Sequence, residues 1–371
     1  MTKSAKDDEK YYPPPESKGG WRWLKSSEEV RSIAGMDPDK LLLACEYNAQ
    51  FSDSSGVVII RNGHLVAEWY ENNSLTTTRF DLWSCTKSFT GTAYGLLFDD
   101  VRQGKLPADK AVDLDTPAYA FIPEGHPLTD SRKEYISLRH LLTMTSGIPG
   151  EATGIAAIPT ETGIGPFEAA LGRFPVKARR WPSGRWADKL SAEPGTQWDY
   201  SDPAMAHLAL AFYHITGREM SDFLQERVFE PIGIENLVWD MQGVGADFIG
   251  PHTNAHTGIH LSARELARFG YLMLRKGVWN DQQIVPAWWV ELSTTSSQDL
   301  NRSYGYTWWV NTQGTCWPGI PRDAFACMGY QCNKCYVIPS LDLIISRVGS
   351  GPGNWDEPVF INRVAASIID R

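Results

Sequence analysis

The chain has 371 residues and a formal net charge of −9, from 35 lysines and arginines against 44 aspartates and glutamates. That balance speaks against nucleic acid as a partner, because phosphate recognition calls for a basic face. With 42 % apolar and 21 % charged residues the composition is that of an ordinary globular protein, which excludes disorder as the main state.

The length suits one large domain or two intimate ones. No run approaches the roughly 18 apolar residues of a membrane span, and the N-terminal stretch lacks the apolar core of a secretory signal. The expectation is therefore a cytoplasmic chain with no membrane partner. Residues 1–20, with Pro13, Pro14 and Pro15 among mixed charges, read as a mobile arm. Asp39 to Gln50 has helical spacing. Gly56 to Ile60 and Leu65 to Tyr70 are β-rich runs joined through Asn62-Gly63, a strong hairpin signal. Ser84 to Asp100 predicts a helix with Phe89, Ala93, Leu96 and Leu97 inward.

From about 101 to 254 the texture changes to helices and long Gly/Pro loops, with helices at Leu138 to Leu142 and Met205 to Thr216, the second stopped by Gly217. Ser262 to Lys276 is another, in which Ser262 and Glu265 form a capping box and Gly277 ends the run. Short strands then return at Tyr306 to Val310, Ala324 to Tyr330, Tyr336 to Ile338 and Leu343 to Ser346, closed by a helix from Trp355. Strands at both ends around a helical middle predict an α/β protein of the α+β type. Its antiparallel sheet, flanked by helices, would come from residues 21–100 and 255–371, with 101–254 as an inserted, mainly α-helical domain.

The sharpest chemical signal is Ser84-Cys85-Thr86-Lys87 at the start of the predicted helix, the sole Ser-x-x-Lys spacing in the chain. Positions i and i+3 share a helix face, so the Lys87 amine can reach the Ser84 hydroxyl. A serine at a helix N-terminus also has unpaired backbone N–H groups beside it, ready for a developing oxyanion. Ser88-Phe89-Thr90-Gly91 follows, small and apolar, so the lysine sits on a face that is buried rather than solvated. A buried lysine without an evident carboxylate argues for a use. The competing reading is a capping serine beside a surface lysine.

Tyr200, in Trp198-Asp199-Tyr200-Ser201-Asp202, lies ahead of a helix and would complete a Ser–Lys–Tyr relay; otherwise it is structural, with Ser201 or Asp202 as the helix cap. Gly329, inside a strand, marks close approach of a ligand or another backbone, or simply a packing glycine near a bulge. Two clusters invite a metal. Cys327-x4-Cys332-x2-Cys335 has no second pair or neighbouring histidine, which favours buried thiols in a hairpin. His252-x3-His256-x3-His260 has helical spacing, but Pro251, Asn254 and Gly258 argue against a helix. No metal and no organic cofactor is expected.

Taken in order, Ser84-x-x-Lys87, Tyr200-Ser201-Asp202 and the Gly329 strand resemble the serine β-lactamase and penicillin-binding-protein superfamily. The likeness is to its class C-type branch of esterases, amidases and D-peptidases, including 6-aminohexanoate-oligomer hydrolases. Ile136 to Gly147, Leu261 to Gly270 and Tyr304 to Trp309 fit as well, so the resemblance runs from about Gly56 to Gly349. It implies a serine hydrolase in which Ser84 is acylated and Lys87 and Tyr200 share its activation. The backbone N–H groups of Ser84 and Tyr330 would form the oxyanion hole.

Two departures bear on substrate. The third motif reads Cys327-Met328-Gly329 where the family places Lys or His first, so the cation that pairs with a substrate carboxylate is missing. Asp202 stands where Asn is usual. Both point to a small-molecule ester, or a neutral or cationic amide, with poor action on β-lactams. Asp202, Trp308, Cys327 and Gly329 are the expected substrate contacts, and Trp181, Trp186, Trp198 and Trp309 would help line the cleft. Acyl transfer from the same acyl-enzyme, and a non-catalytic binding role, remain as alternatives. Sequence says nothing of the oligomeric state.

Overall fold

The computed structural model describes residues 11–151, 171, 186, 188–242, 252–351 and 354–369. Helix α1 (Pro38–Gln50) begins with Asp37 capping the Asp39 N–H and proline at its first position, where no donor is needed. Strands β1 (Ser55–Arg61) and β2 (His64–Glu71) follow, joined by Asn62 (φ 51°) and Gly63 (φ 69°), the two left-handed residues that match hairpin twist. Helix α2 (Thr86–Arg102) is sunk in the protein along nearly its whole length. Its small residues permit this: a β-carbon at Gly95 would stand 2.1 Å from the Trp289 ring, and one at Gly91 2.1 Å from the Thr307 hydroxyl.

Helix α3 (Asp202–Thr216) starts at a Ser201 cap and stops at left-handed Gly217. Helix α4 (Ala263–Leu274) has the expected reciprocal cap between Ser262 and Glu265. Four strands follow: β3 (Trp309–Val310), β4 (Phe325–Gly329), β5 (Asn333–Ile338) and β6 (Leu343–Gly349); helix α5 (Glu357–Ala366) closes the chain.

The six strands form one antiparallel sheet in the order β3-β4-β5-β6-β1-β2, so β1 from one end of the chain pairs with β6 from the other, Ser55 opposite Gly349. This is the mixed α/β architecture expected, an antiparallel sheet flanked by helices. Alternation along β1 explains the layers: Val58 and Ile60 join the core shared with α2, α3 and α4, whereas Val57 and Ile59 join the core under α1 and α5. A second, three-stranded sheet sets Phe80–Asp81 and Val238–Trp239 on either side of Ile259–Leu261, bringing the chain ahead of α2 against the loop ahead of α4.

Candidate active site

Ser84 lies in a short 3-10 turn, Trp83–Cys85, which runs straight into α2. Trp83 holds φ 49°, a left-handed conformation unusual for a bulky residue, and its N–H donates to Asp81 Oδ1 at 2.8 Å. The same carboxylate oxygen accepts the Gly258 N–H at 3.1 Å. One acidic side chain therefore fixes both the turn that presents Ser84 and the loop opposite it.

Lys87, on the first turn of α2, is 1 % exposed. Its Nζ donates to Ser84 Oγ at 2.7 Å and to the His256 carbonyl at 3.2 Å, and pairs with Asp202 Oδ1 at 2.7 Å. Three donors thus meet three acceptors. The Tyr200 ring sits with its centroid 4.7 Å from the Lys87 nitrogen, and the Ser84 hydroxyl is near enough to lower the pKa of its phenol. Burial, then the Asp202 carboxylate, push the Tyr200 phenol up, with the Ser84 hydrogen bond opposing them, so it is neutral at ordinary pH. Asp202 moves the other way: burial is the largest influence and would raise it, but the Lys87 charge, His256 and the Lys87 hydrogen bond together hold it below its ordinary value. The structure thus brings Ser84, Lys87 and Tyr200 together.

Asp202 was expected to contact substrate. Its Oδ1 is turned inward against Lys87 while the side chain as a whole stays 43 % exposed, and capping falls to Ser201, whose hydroxyl accepts the Ala204 N–H at 3.2 Å. Gly329 does mark a close approach. A β-carbon there would lie 2.1 Å from the Leu82 carbonyl and 3.1 Å from the Cys85 nitrogen, so only glycine lets β4 meet the Ser84 turn. Tyr330 follows directly, and its ring stands edge-on to Trp83 at 5.4 Å.

A cleft of about 450 Å³ opens over these residues, lined by Ser84, Glu151, Trp198, Tyr200, Trp309, Met328, Gly329, Tyr330 and Lys334. Trp308 and Cys327 do not belong to it. Trp308 is fully buried, stacked on Phe269 and edge-on to Phe325. Left-handed Thr307 (φ 66°) breaks the strand run before it, leaving Trp309 as the ring that reaches the cleft. Cys327 points into the core opposite its cross-strand partner Cys335, with Cys85 close by. Trp186 does not line the cleft either, and Trp181 lies outside the described residues.

Glu151, Met328 and Lys334 had not been anticipated. Glu151 is placed by its N–H, which donates to the Tyr200 carbonyl at 2.8 Å across a loop contact that sequence spacing cannot reveal. Lys334 is the cross-strand partner of Met328, so a correct register for β4 and β5 would have found it. The three histidines scatter: His252 binds Glu219 at 2.8 Å, His260 binds Asp240 at 3.2 Å, and His256 sits near Lys87 and Asp202. Among the described residues no group of His, Cys, Asp or Glu is arranged to hold a metal ion. Nor is any described helix long and apolar enough to cross a membrane.

The sequence profile of the Beta-lactamase family matches residues 49–366. The chain belongs to the Beta-lactamase family. Within that family it is 22 % identical over 337 residues to an Escherichia coli K12 protein named "Putative D-alanyl-D-alanine carboxypeptidase", covering 80 % of this chain and 72 % of that one. Among solved structures it superposes on a "Putative 6-aminohexanoate-dimer hydrolase from Bacillus anthracis" with TM-score 0.67 and 21 % identity, covering 96 % and 88 % of the two chains. EstCE1, titled a hydrolase with promiscuous acyltransferase activity, aligns with TM-score 0.62 and 15 % identity, covering 91 % and 100 %. At these identities the structural likeness is one of fold. Family and fold together make this a β-lactamase-related serine hydrolase in the broad sense.

Proposed function

We propose that this protein hydrolyses a small ester or amide through an acyl-enzyme on Ser84, and that it acts poorly on β-lactams. The observation that carries the reading is the 2.7 Å contact from Lys87 Nζ to Ser84 Oγ, with the Tyr200 ring centroid 4.7 Å from the same nitrogen. Paired with Asp202, the Lys87 ammonium faces Oγ as a donor and stabilises the negative charge that builds there during attack. Tyr200, kept neutral, accepts the Ser84 proton while its own passes to the departing oxygen or nitrogen, so no phenolate accumulates. Water then follows the reverse course: its proton enters through Tyr200, its oxygen takes the acyl group, and Ser84 is regenerated.

The charge pattern supports the substrate class. In the cleft Lys334 is tied to Glu357 at 3.4 Å, and Glu151 adds a carboxylate, so among the described residues no uncompensated cation lines the cleft to meet a substrate carboxylate. Carboxylate-bearing penicillins and D-alanyl peptides are disfavoured by the same pattern, whereas uncharged esters and cationic amides are not. The aromatic wall of Trp198, Tyr200, Trp309 and Tyr330 favours acyl transfer as a second reading, because apolar rings beside Ser84 give the organic part of an alcohol or amine a surface to bind and so to compete with water.

The test is a short-chain p-nitrophenyl ester assay with Ser84→Ala beside the unaltered protein. Loss of at least about 10³-fold in kcat, together with a fluorophosphonate adduct on Ser84, is expected. Undiminished turnover in Ser84→Ala overturns the reading, and product ratios that change with an added alcohol identify transfer.

A further inference from the structure

The oxyanion hole needs two backbone N–H groups that belong to different parts of the chain, one on the Ser84 turn and one on the Tyr330 turn. What keeps them in register is a question of geometry, since a displacement of about 1 Å at a catalytic centre can cost 10²-fold in rate. Nothing in the Tyr330 turn is relaxed by itself. After Tyr330 come Gln331 (φ 57°) and Cys332 (φ 65°), two consecutive non-glycine residues in the left-handed region. Such a conformation persists only where surrounding contacts over-determine it.

Those contacts converge on Asn333, the first residue of β5, whose side chain is fully buried. Its Nδ2 donates to the Tyr330 carbonyl at 2.7 Å and to the Asp81 carbonyl at 3.3 Å. Its Oδ1 accepts the Gly349 N–H at 3.0 Å, anchoring the amide to β6. Its own carbonyl accepts the Cys85 thiol at 3.4 Å, beside the nucleophile. The Asp81 that it grips by the main chain holds the Trp83 N–H with its side chain. A single carboxamide therefore ties the peptide that follows the Tyr330 N–H to the segment that presents Ser84, across the contact that Gly329 makes possible.

We infer that Asn333 is a positioning residue for the oxyanion hole, clamping its two halves together without touching substrate. The inference rests on the serine-hydrolase reading above. Both N–H groups of the carboxamide are needed: a carboxylate of the same shape would face two carbonyl oxygens with no proton to offer.

The experiment compares Asn333→Asp and the smaller Asn333→Ser with the unaltered protein, each normalised to Ser84 titrated by a fluorophosphonate, so that partly misfolded material does not count. Hydrolysis of a p-nitrophenyl ester should lose about 10- to 100-fold in kcat with KM changed less than about twofold, because the hole acts on the transition state. The inhibition constant of an alkylboronic acid, which forms a tetrahedral adduct on Ser84, should rise by a comparable factor. A purely structural role would lower thermal stability but leave kcat per titrated serine and boronate affinity within about twofold, and that outcome overturns the inference. Failure of the underlying reading is separately visible, since the unaltered protein would then show no Ser84 adduct and no Ser84-dependent turnover.

Discussion

At Asp202 one substitution relative to the usual asparagine changes the electrostatics of a whole site. The carboxylate pairs with Lys87, raises Tyr200 together with burial, and is itself held below its ordinary value because Lys87 and His256 together overcome the effect of burial. A depressed carboxylate contributes while ionised, and its contribution disappears as pH falls through the folded-state value. Activity should therefore persist in acid down to below the ordinary aspartate value of about 3.9, and then fall. In Asp202→Asn the part of that limb carried by the carboxylate should be absent, leaving only the protonation of neighbouring His256, as read from kcat/KM after brief pH jumps. On the alkaline side both forms should remain active through neutrality, because the phenol of Tyr200 resists ionisation. This residue also limits what spacing can reveal: Ser84 and Lys87 were legible because three positions on one helix define a face, whereas the partner of Lys87 lies 115 positions away on another helix.

Among the elements, β4 matters through one missing side chain. Gly329 is not in the left-handed region; it is required because the Leu82 carbonyl occupies the place of a β-carbon. Gly329→Ala should push β4 from the nucleophile turn and widen the oxyanion hole. The expected loss is about 10²-fold or more in kcat, comparable to deleting one hole donor, checked by ester kinetics per titrated serine. The strand's sequence allowed either a packing glycine or a close approach, and the choice depends on which backbone lies opposite. Trp308 and Trp309 make the same point. The sequence reading expects both rings at the cleft, but strand alternation lets only one face it, and with left-handed Thr307 ahead of them Trp308 turns into the core.

Across the whole molecule, acid sensitivity should come from two neutral histidines, His207 fully buried and His256 partly so. Burial lowers His207 to about 3 and His256 to about 4, the first in the core beside the Tyr119 hydroxyl at 3.0 Å, the second beside Lys87 and Asp202. The unfolded chain binds protons at these histidines below about pH 6.5, while the folded chain excludes them until pH falls to those lower values. Stability therefore declines as pH drops from about 6.5 toward 4, and rises with pH across that window. Calorimetric melting temperatures should fall over this range, and His207→Gln should flatten the decline by removing one proton's linkage. An unchanged slope in that variant would assign acid sensitivity to other groups.

Local signals in the sequence determined the Asn62-Gly63 hairpin, the Ser262–Glu265 capping box, the strands at both chain ends and the Ser84–Lys87 face. Each depends on residues within a few positions of one another, where backbone geometry leaves few choices. Long-range contact decided the rest: Asp202 on Lys87, Asn333 across two turns, Cys327 in the core and Trp309 in the cleft. Those outcomes depend on which strands pair and in what register, and a one-residue shift of register turns every side chain to the opposite face.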